Sequence, residues 1–131
     1  MEFFILFCMV FMHICDDYYL QGVLAKMKQK SWWISNCPDP EDAPGMYESD
    51  YKVAMAMHAF SWAFMTTLPI AVYSLFTAGM LPGTFFFMFL MNVVIHYGID
   101  DMKANWGLIN LRTDQTAHLI QLVCTWMICL Y

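Results

Sequence analysis

The sequence predicts an all-α protein, a bundle of four transmembrane helices, and three observations support this class. Hydrophobic residues make up 60% of the 131 residues, and the mean hydropathy is +0.50. Charged residues make up 13%, about half of their share in a soluble domain. The apolar residues fall into four long segments, and four spans of about 20 residues each take up most of the chain. We therefore expect one four-helix membrane domain over residues 1–131, without a separate soluble catalytic domain.

The helix boundaries follow from hydropathy and from helix-breaking residues. The first helix is predicted at about residues 2–28 and the second at residues 50–78, where Pro69 should introduce a kink. The third helix should start near Pro82, because proline suits a first helical turn.

Three connections join these helices. The first is a proline-rich soluble loop at about residues 31–49, the second a short turn at residues 79–83, and the third a polar stretch at residues 105–112. Thr113 or Asp114 can then cap the fourth helix, which continues to the end of the chain.

The six basic residues indicate how the chain is oriented. All of them flank the first or the third connection, and they are Lys26, Lys28, Lys30, Lys52, Lys103 and Arg112. By the positive-inside rule these two connections lie in the cytoplasm and both termini lie outside. We expect an integral protein of the bacterial inner membrane.

Three of the predicted helices carry a histidine and an aspartate four residues apart. The pairs are His13 with Asp17, His96 with Asp100, and Asp114 with His118. On a helix this spacing stacks both side chains on one face. Each of these histidines lies about 20 Å from the outer end of its helix, and His58 of the second helix falls at a similar depth. The four histidines should therefore meet at one level, in the cytoplasmic half of the bilayer.

A shared metal site is the function that these histidines predict. A single buried histidine is commonly satisfied by a neighbouring backbone or hydroxyl group, but four in membrane helices, three beside a carboxylate, are costly in lipid. We predict a divalent metal, with zinc first and manganese or iron as alternatives. The predicted ligands are His13, Asp17, His58, His96, Asp100, Asp114 and His118. This set exceeds the four ligands of one tetrahedral ion, so it suits two ions, or one ion with the remaining carboxylates orienting imidazoles.

Two of the predicted ligands have a second acid beside them. Asp16 precedes Asp17 and Asp101 follows Asp100, which leaves the ligand at each position open, although helical stacking favours Asp17 and Asp100. An uncoordinated Asp16 or Asp101 could serve as the general base.

Three further polar residues lie close to the pairs, at the cytoplasmic mouth. Gln21, Lys103 and Gln115 could bind a polar or anionic headgroup, the lysine as a point charge and the glutamines as hydrogen-bond partners. The alternative is that they are interfacial residues whose side chains reach to water.

The polar residues form motifs that resemble a known family. They are His13-x-x-x-Asp17-Tyr18-x-Leu20-Gln21, His96-x-x-x-Asp100-x-x-Lys103 and Asp114-Gln115-x-x-His118, with His58 opening the second helix. Nearly the whole chain resembles a family of short integral membrane proteins of bacteria and phages, known only as a domain of unknown function. The pattern is similar, more loosely, to membrane-bound metal-dependent hydrolases. The resemblance implies four helices and this ligand set but no particular substrate, and the doubled acids and the proline-rich first loop depart from the family pattern.

These features predict a membrane-embedded metal-dependent hydrolase that acts on a lipid-like or phosphorylated amphipathic substrate at the cytoplasmic leaflet. The expected partner is a membrane lipid or an amphipathic small molecule, and not a nucleic acid. Divalent-metal or proton transport could use the same cluster, although the outer halves of the helices offer few polar residues for a path. A haem-binding bundle and a holin-like structural protein are the remaining alternatives.

Overall fold

The computed structural model describes all of residues 1–131, and its regular structure is entirely helical. Its six helices are α1 (Glu2–Ile14), α2 (Leu24–Met27), α3 (Lys30–Asn36), α4 (Asp50–Ala78), α5 (Gly83–Ala104) and α6 (Leu111–Leu130). A π-helical segment, Cys15–Leu20, continues α1 without a break. The all-α class is thereby confirmed.

Three of the helical stretches are long and apolar enough to cross a membrane. They are Glu2–Leu20, Asp50–Ala78 and Gly83–Ala104. The last helix, α6, is not among them, because its first turns carry Arg112, Asp114 and Gln115. The structure therefore supports three of the four expected spans, and a fourth span by α6 stays a prediction.

The four long helices nevertheless pack into one bundle. Both α1 and α5 contact α4 and α6, and α4 also contacts α6. At one end, Trp126 and Tyr131 donate hydrogen bonds to Glu2, which brings the two ends of the chain together. At the opposite end, the Asn105 side chain bonds the backbone of Lys28 and Lys30 and so joins the first and third connections. The helices therefore alternate in direction.

The bundle has an apolar outside and a polar inside. Phe7, Phe87 and Val94 are among the many large apolar side chains that are more than 60% exposed. More than half of the 26 buried residues are polar or charged, including all four histidines. Such an arrangement suits a lipid surround, because apolar side chains then face lipid and polar groups satisfy one another inside.

The first predicted helix, over residues 2–28, is confirmed as far as Leu20 and wrong beyond it. The helix ends at Leu20, and the short α2 begins only at Leu24. Between them Gly22 has a φ of +53°, a left-handed conformation that ends a helix and favours glycine. The backbone turns here, which brings Lys28 back over the end of the bundle.

Two other boundaries also differ from the expectation, and one agrees. The first loop, predicted as irregular over residues 31–49, begins with the helix α3. Asn110 caps α6, and not Thr113 or Asp114. The Asn110 side-chain oxygen accepts a hydrogen bond from the backbone amide of Thr113. Helix α4 has the predicted bounds and continues through Pro69.

The two glycines at positions 22 and 98 should respond oppositely to substitution by alanine. Gly22→Ala is expected to destabilise the fold by about 1–2 kcal/mol, because a Cβ is strained in the left-handed region. Gly98 lies inside α5 with open space around it, so Gly98→Ala should stabilise by up to about 1 kcal/mol through helix propensity. Denaturant unfolding of both variants in detergent, followed by circular dichroism, measures the difference. Equal midpoints would contradict the role of Gly22 as the helix break.

Candidate metal centre

The predicted convergence of histidines and aspartates is present, and His58 lies at its centre. Its Nε2 atom is 3.1 Å from His96 Nε2, 3.5 Å from Asp17 Oδ1 and 3.3 Å from Asp100 Oδ2. Its Nδ1 atom faces the other way, 3.6 Å from Asp16 Oδ2. One imidazole from α4 thus meets acids from the π-helical segment and from α5.

Four atoms, three of them within 3.5 Å of His58 Nε2, form what we call the first ligand set. They are His58 Nε2, His96 Nε2, Asp17 Oδ1 and Asp100 Oδ2. His96 Nε2 is 4.0 Å from Asp17 Oδ1 and 3.9 Å from Asp100 Oδ2. Around zinc, with ligands at about 2.0–2.2 Å, neighbouring atoms of a tetrahedron are about 3.3–3.6 Å apart. The five distances that involve His58 or His96 run from 3.1 to 4.0 Å. Asp17, His58 and His96 come close enough together to hold one ion, and Asp100 extends this group through its contacts with the two histidines.

A second group shares members with the first. His96, Asp100 and His118 also come close enough to hold an ion. His118 Nε2 is 3.2 Å from Asp100 Oδ1 and 3.4 Å from Asp114 Oδ1. Buried His/Asp groups in this protein could therefore hold a metal, as the sequence predicts.

His96 and His118 cannot both bind a metal as neutral imidazoles. His96 Nδ1 and His118 Nδ1 are 3.2 Å apart, a contact in which one nitrogen must donate to the other. If His96 binds a metal through Nε2, its Nδ1 carries the proton and donates to His118. His118 then carries its own proton on Nε2 and donates to a carboxylate instead of binding an ion. His118 is in that case an outer partner that orients His96.

Unsatisfied oxygens point to a missing positive charge near the cluster. Asp16 Oδ2, Asp17 Oδ1 and Asp114 Oδ1 are buried and accept no hydrogen bond. Each of them lies within 3.6 Å of a nitrogen of His58 or His118. Buried carboxylate oxygens are costly without a partner, and a cation at the first ligand set would contact the Asp17 oxygen directly.

The balance of formal charges in the cluster also indicates that it suits a cation. Four carboxylates, of Asp16, Asp17, Asp100 and Asp114, lie in the cluster. Two ammonium groups face them: Lys28 bonds Asp100 Oδ2, and Lys103 bonds Asp114 Oδ2 at 2.5 Å. With neutral histidines the cluster keeps an excess of two negative charges, which a single divalent ion neutralises.

One predicted metal ligand, His13, lies beside the first ligand set, and both of its ring nitrogens have other partners. Trp62 Nε1 donates to His13 Nδ1 at 2.8 Å, and His13 Nε2 lies 3.1 Å from Gln115 Oε1. Its Nδ1 remains 3.6 Å from Asp17 Oδ2. The structure thus places His13 behind Asp17, and His13 can orient that carboxylate through Gln115, whose Nε2 donates to Asp17 Oδ2 at 3.3 Å.

The two acids predicted as general bases occupy different places. Asp101 lies outside the cluster, and its carboxylate accepts hydrogen bonds from Asn105 and Trp106 in the third connection. Asp16 lies inside, where it accepts a hydrogen bond of 2.7 Å from Ser61. It faces the side of the His58 ring away from the first ligand set.

The three residues predicted to bind substrate line one cavity beside the cluster of histidines and aspartates. This cavity of about 340 Å³ is bounded by Gln21, Lys103 and Gln115 together with Asp17 and Lys28. Gln21 Nε2 is 3.0 Å from His58 Nε2, and Gln115 Nε2 donates to Asp17 Oδ2 at 3.3 Å. The cavity therefore leads from the end of the bundle to the first ligand set.

Sequence reasoning missed three contributions to the site. The positions of the basic residues place Lys28 only at the flank of the first loop, but it is buried against Asp100. Trp62 stacks on His96 with ring centroids 4.1 Å apart, and its position one turn after His58 was an available signal. The π-helical segment carries both Asp16 and Asp17 and lets both face His58, and nothing in the hydrophobic pattern signals such a turn.

No family model, curated protein or solved structure matches this chain. The class of protein that the structure itself defines is an all-helical bundle with three candidate membrane spans and a buried cluster of histidines and aspartates that could hold a metal.

Proposed function

We propose that the chain is a four-span membrane protein that binds one divalent ion at the first ligand set and uses it to hydrolyse a phosphorylated or lipid-like substrate at the cytoplasmic leaflet. The observation that carries this proposal is the set itself, in which atoms of His96, Asp17 and Asp100 lie within 3.5 Å of the buried His58 Nε2 and the Asp17 oxygen has no hydrogen-bond partner. Two imidazoles and two carboxylates suit zinc, with manganese or iron as alternatives. The same proposal relates the chain to membrane-bound metal-dependent hydrolases.

The proposed orientation places the cavity of Gln21 and Lys103 at the cytoplasmic face. Helix α6 completes the fourth span, since it packs against α1, α4 and α5. Both termini then lie outside, and the linked first and third connections lie inside with their lysines.

A metal at this position would supply an activated water and polarise the bond to be cleaved. The chain's own residues hold and orient the ligands. Asp16 faces Nδ1 of His58 and fixes that ring, and His118 accepts from Nδ1 of His96. Carboxylates and carbonyls commonly play this part behind metal-binding histidines. In this arrangement Asp16 positions a ligand, and its assignment as general base stays a prediction.

The reaction consumes one water for each bond cleaved. For a phosphate monoester, the water oxygen bonds to phosphorus and the bond from phosphorus to the lipid oxygen breaks. That oxygen takes a proton released by the water, so the products are an alcohol and inorganic phosphate. Lys103, with two of its three N–H donors not used by Asp114, can contact the phosphate oxygens.

Transport is supported less well than hydrolysis. Toward the termini from the histidines, Met9, Ile70 and Leu122 are fully buried. The buried polar side chains in this part of the bundle, Asn92, Gln121 and Thr125, bond one another. A transport path would have to cross this layer, whereas the cavity of Gln21 and Lys103 reaches the cluster from the opposite end only. The geometry therefore favours a site that opens to one side.

Haem binding is also supported less well. Two axial nitrogens on one iron are about 4 Å apart with the porphyrin between them. His58 Nε2 and His96 Nε2 are 3.1 Å apart, and Trp62 packs flat on the His96 ring. No space for a porphyrin plane separates these imidazoles.

The neighbouring acids Asp100 and Asp101 test the proposal as a matched pair. Detergent-purified wild-type protein should contain zinc, manganese or iron in stoichiometric amount by elemental analysis. Asp100→Asn should lose this metal, because it removes a charged ligand. Asp101→Asn should keep it, because Asp101 bonds only Asn105 and Trp106. A metal-free wild type, purified without chelators and offered each ion in turn, would refute the proposal.

A further inference from the structure

Two cavities meet beside the candidate metal centre, and they differ in chemistry. The first is the polar cavity of about 340 Å³ that contains Lys28, Lys103 and Gln21. The second, of about 550 Å³, is a groove between α1 and α6 with mainly apolar walls. Tyr18 and Gln115 line both, so the two spaces are neighbours with these two side chains at their shared wall.

The polar cavity is suited to an anionic phosphate group. Lys28 and Lys103 each use one ammonium donor on an aspartate, which leaves further donors available at the cavity wall. Gln21 adds the amide N–H donor that His58 does not use. Asp17, a member of the first ligand set, forms part of the same wall, so a group bound here lies next to the proposed metal.

The apolar groove opens sideways toward the lipid-facing surface of the bundle. Its walls include Ile14, Tyr19 and Leu119, all of them exposed, with Val10 at its base. At the end nearest the cluster it reaches His13 and Gln115. A hydrocarbon chain could therefore stay in contact with the membrane interior along the whole groove.

We infer that the substrate is a phospholipid with a terminal phosphate, which enters between α1 and α6 with its headgroup in the polar cavity and an acyl chain in the groove. This inference rests on the proposed function and names the substrate class of that site. Two features select this occupant: the ammonium N–H donors of the two lysines that the aspartates leave free for phosphate oxygens, and the position of an apolar groove directly beside this polar cavity. A free phosphate would use the polar cavity alone.

Photolabelling of the full chain in phosphatidylcholine vesicles tests the inference. The probe is phosphatidic acid with a diazirine in one acyl chain, and labelled peptides are mapped by mass spectrometry. Label should concentrate on residues 10–19 and 115–119. Leu119→Trp fills the groove and should reduce this label about tenfold, the change that a loss of ~1.4 kcal/mol produces. Leu90→Trp, at an exposed position on α5, is the matched control and should leave the label unchanged.

The headgroup is tested on the wild type with a diacylglycerol probe that carries the same diazirine chain without the phosphate. It should label the groove about tenfold less. Lys103→Gln should remove the difference between the two probes, and Lys103→Arg should keep it. Equal labelling by both probes in the wild type, or label spread evenly over all lipid-facing helices, would overturn the inference. Metal content, measured on the same samples, reports separately on the proposed function, since a metal-free chain can still show groove labelling.

Discussion

A His96→Ala chain is expected to bind no divalent metal, whereas a His13→Ala chain should still bind one ion per chain. His96 supplies Nε2 to the first ligand set and has no exposed surface. His13 bonds Trp62 and Gln115 and contributes no atom to the set. The sequence alone treats these two histidines alike, because each has an aspartate four residues away.

The losses of metal affinity in His96→Ala and His13→Ala should differ by orders of magnitude. Removal of an outer residue that orients a ligand typically weakens metal binding about 10- to 100-fold, and we expect this for His13→Ala through the loosened Asp17. Removal of a ligand should abolish stoichiometric binding. Zinc titration calorimetry on metal-stripped protein, together with elemental analysis, measures affinity and stoichiometry.

The stoichiometry is itself a sharp test. One ion per chain is expected, because a single divalent ion balances the excess of two negative charges and because the contact between His96 and His118 allows only one of them to be a neutral ligand. Helix content of both variants, measured by circular dichroism, serves as the control for folding. Two ions in the wild type, or equal loss in the two variants, would show that the first ligand set is assigned wrongly.

The parts of the site that could be predicted from the sequence are those that depend on one helix at a time. The spacing of His96 and Asp100 or of Asp114 and His118 fixes a shared face wherever the helix forms, and the structure has both pairs within 4.0 Å. Depth along each helix follows from counting residues. These two rules were sufficient to place His58 and the three pairs at one level.

The partners of each side chain depend on several helices and could not be predicted in this way. The π-helical segment changes the register after Cys15 and turns both neighbouring acids toward His58. The left-handed Gly22 ends the helix and folds Lys28 back onto Asp100. A continuous helix over residues 2–28 would have carried that lysine away from the cluster and left the extra negative charge of the acids uncompensated.

Lys28→Met should destabilise the metal-free protein strongly, and Lys30→Met should not. Lys28 and Asp100 are both buried and bonded to each other, and removal of one partner from a buried pair costs about 3–5 kcal/mol. Lys30 pairs with Glu48 at 3.3 Å, but the two side chains are 45% and 67% exposed. Such a surface pair contributes about 0–1 kcal/mol. Both substitutions remove one positive charge from the same short segment, so Lys30→Met controls for net charge and for the change of residue type.

Metal binding should restore much of the stability that the Lys28→Met protein loses. The ion would bind Asp100 Oδ2, the atom that Lys28 contacts, so its charge replaces that of the missing ammonium group. Without Lys28 the cluster also has a third excess negative charge, which strengthens the attraction for a cation. We therefore expect the gap in unfolding midpoint between wild type and Lys28→Met to narrow when zinc is saturating, and zinc to bind the variant at least as tightly as the wild type. A gap that stays constant with zinc would mean that the metal and Lys28 do not share Asp100, and the first ligand set would have to exclude that oxygen.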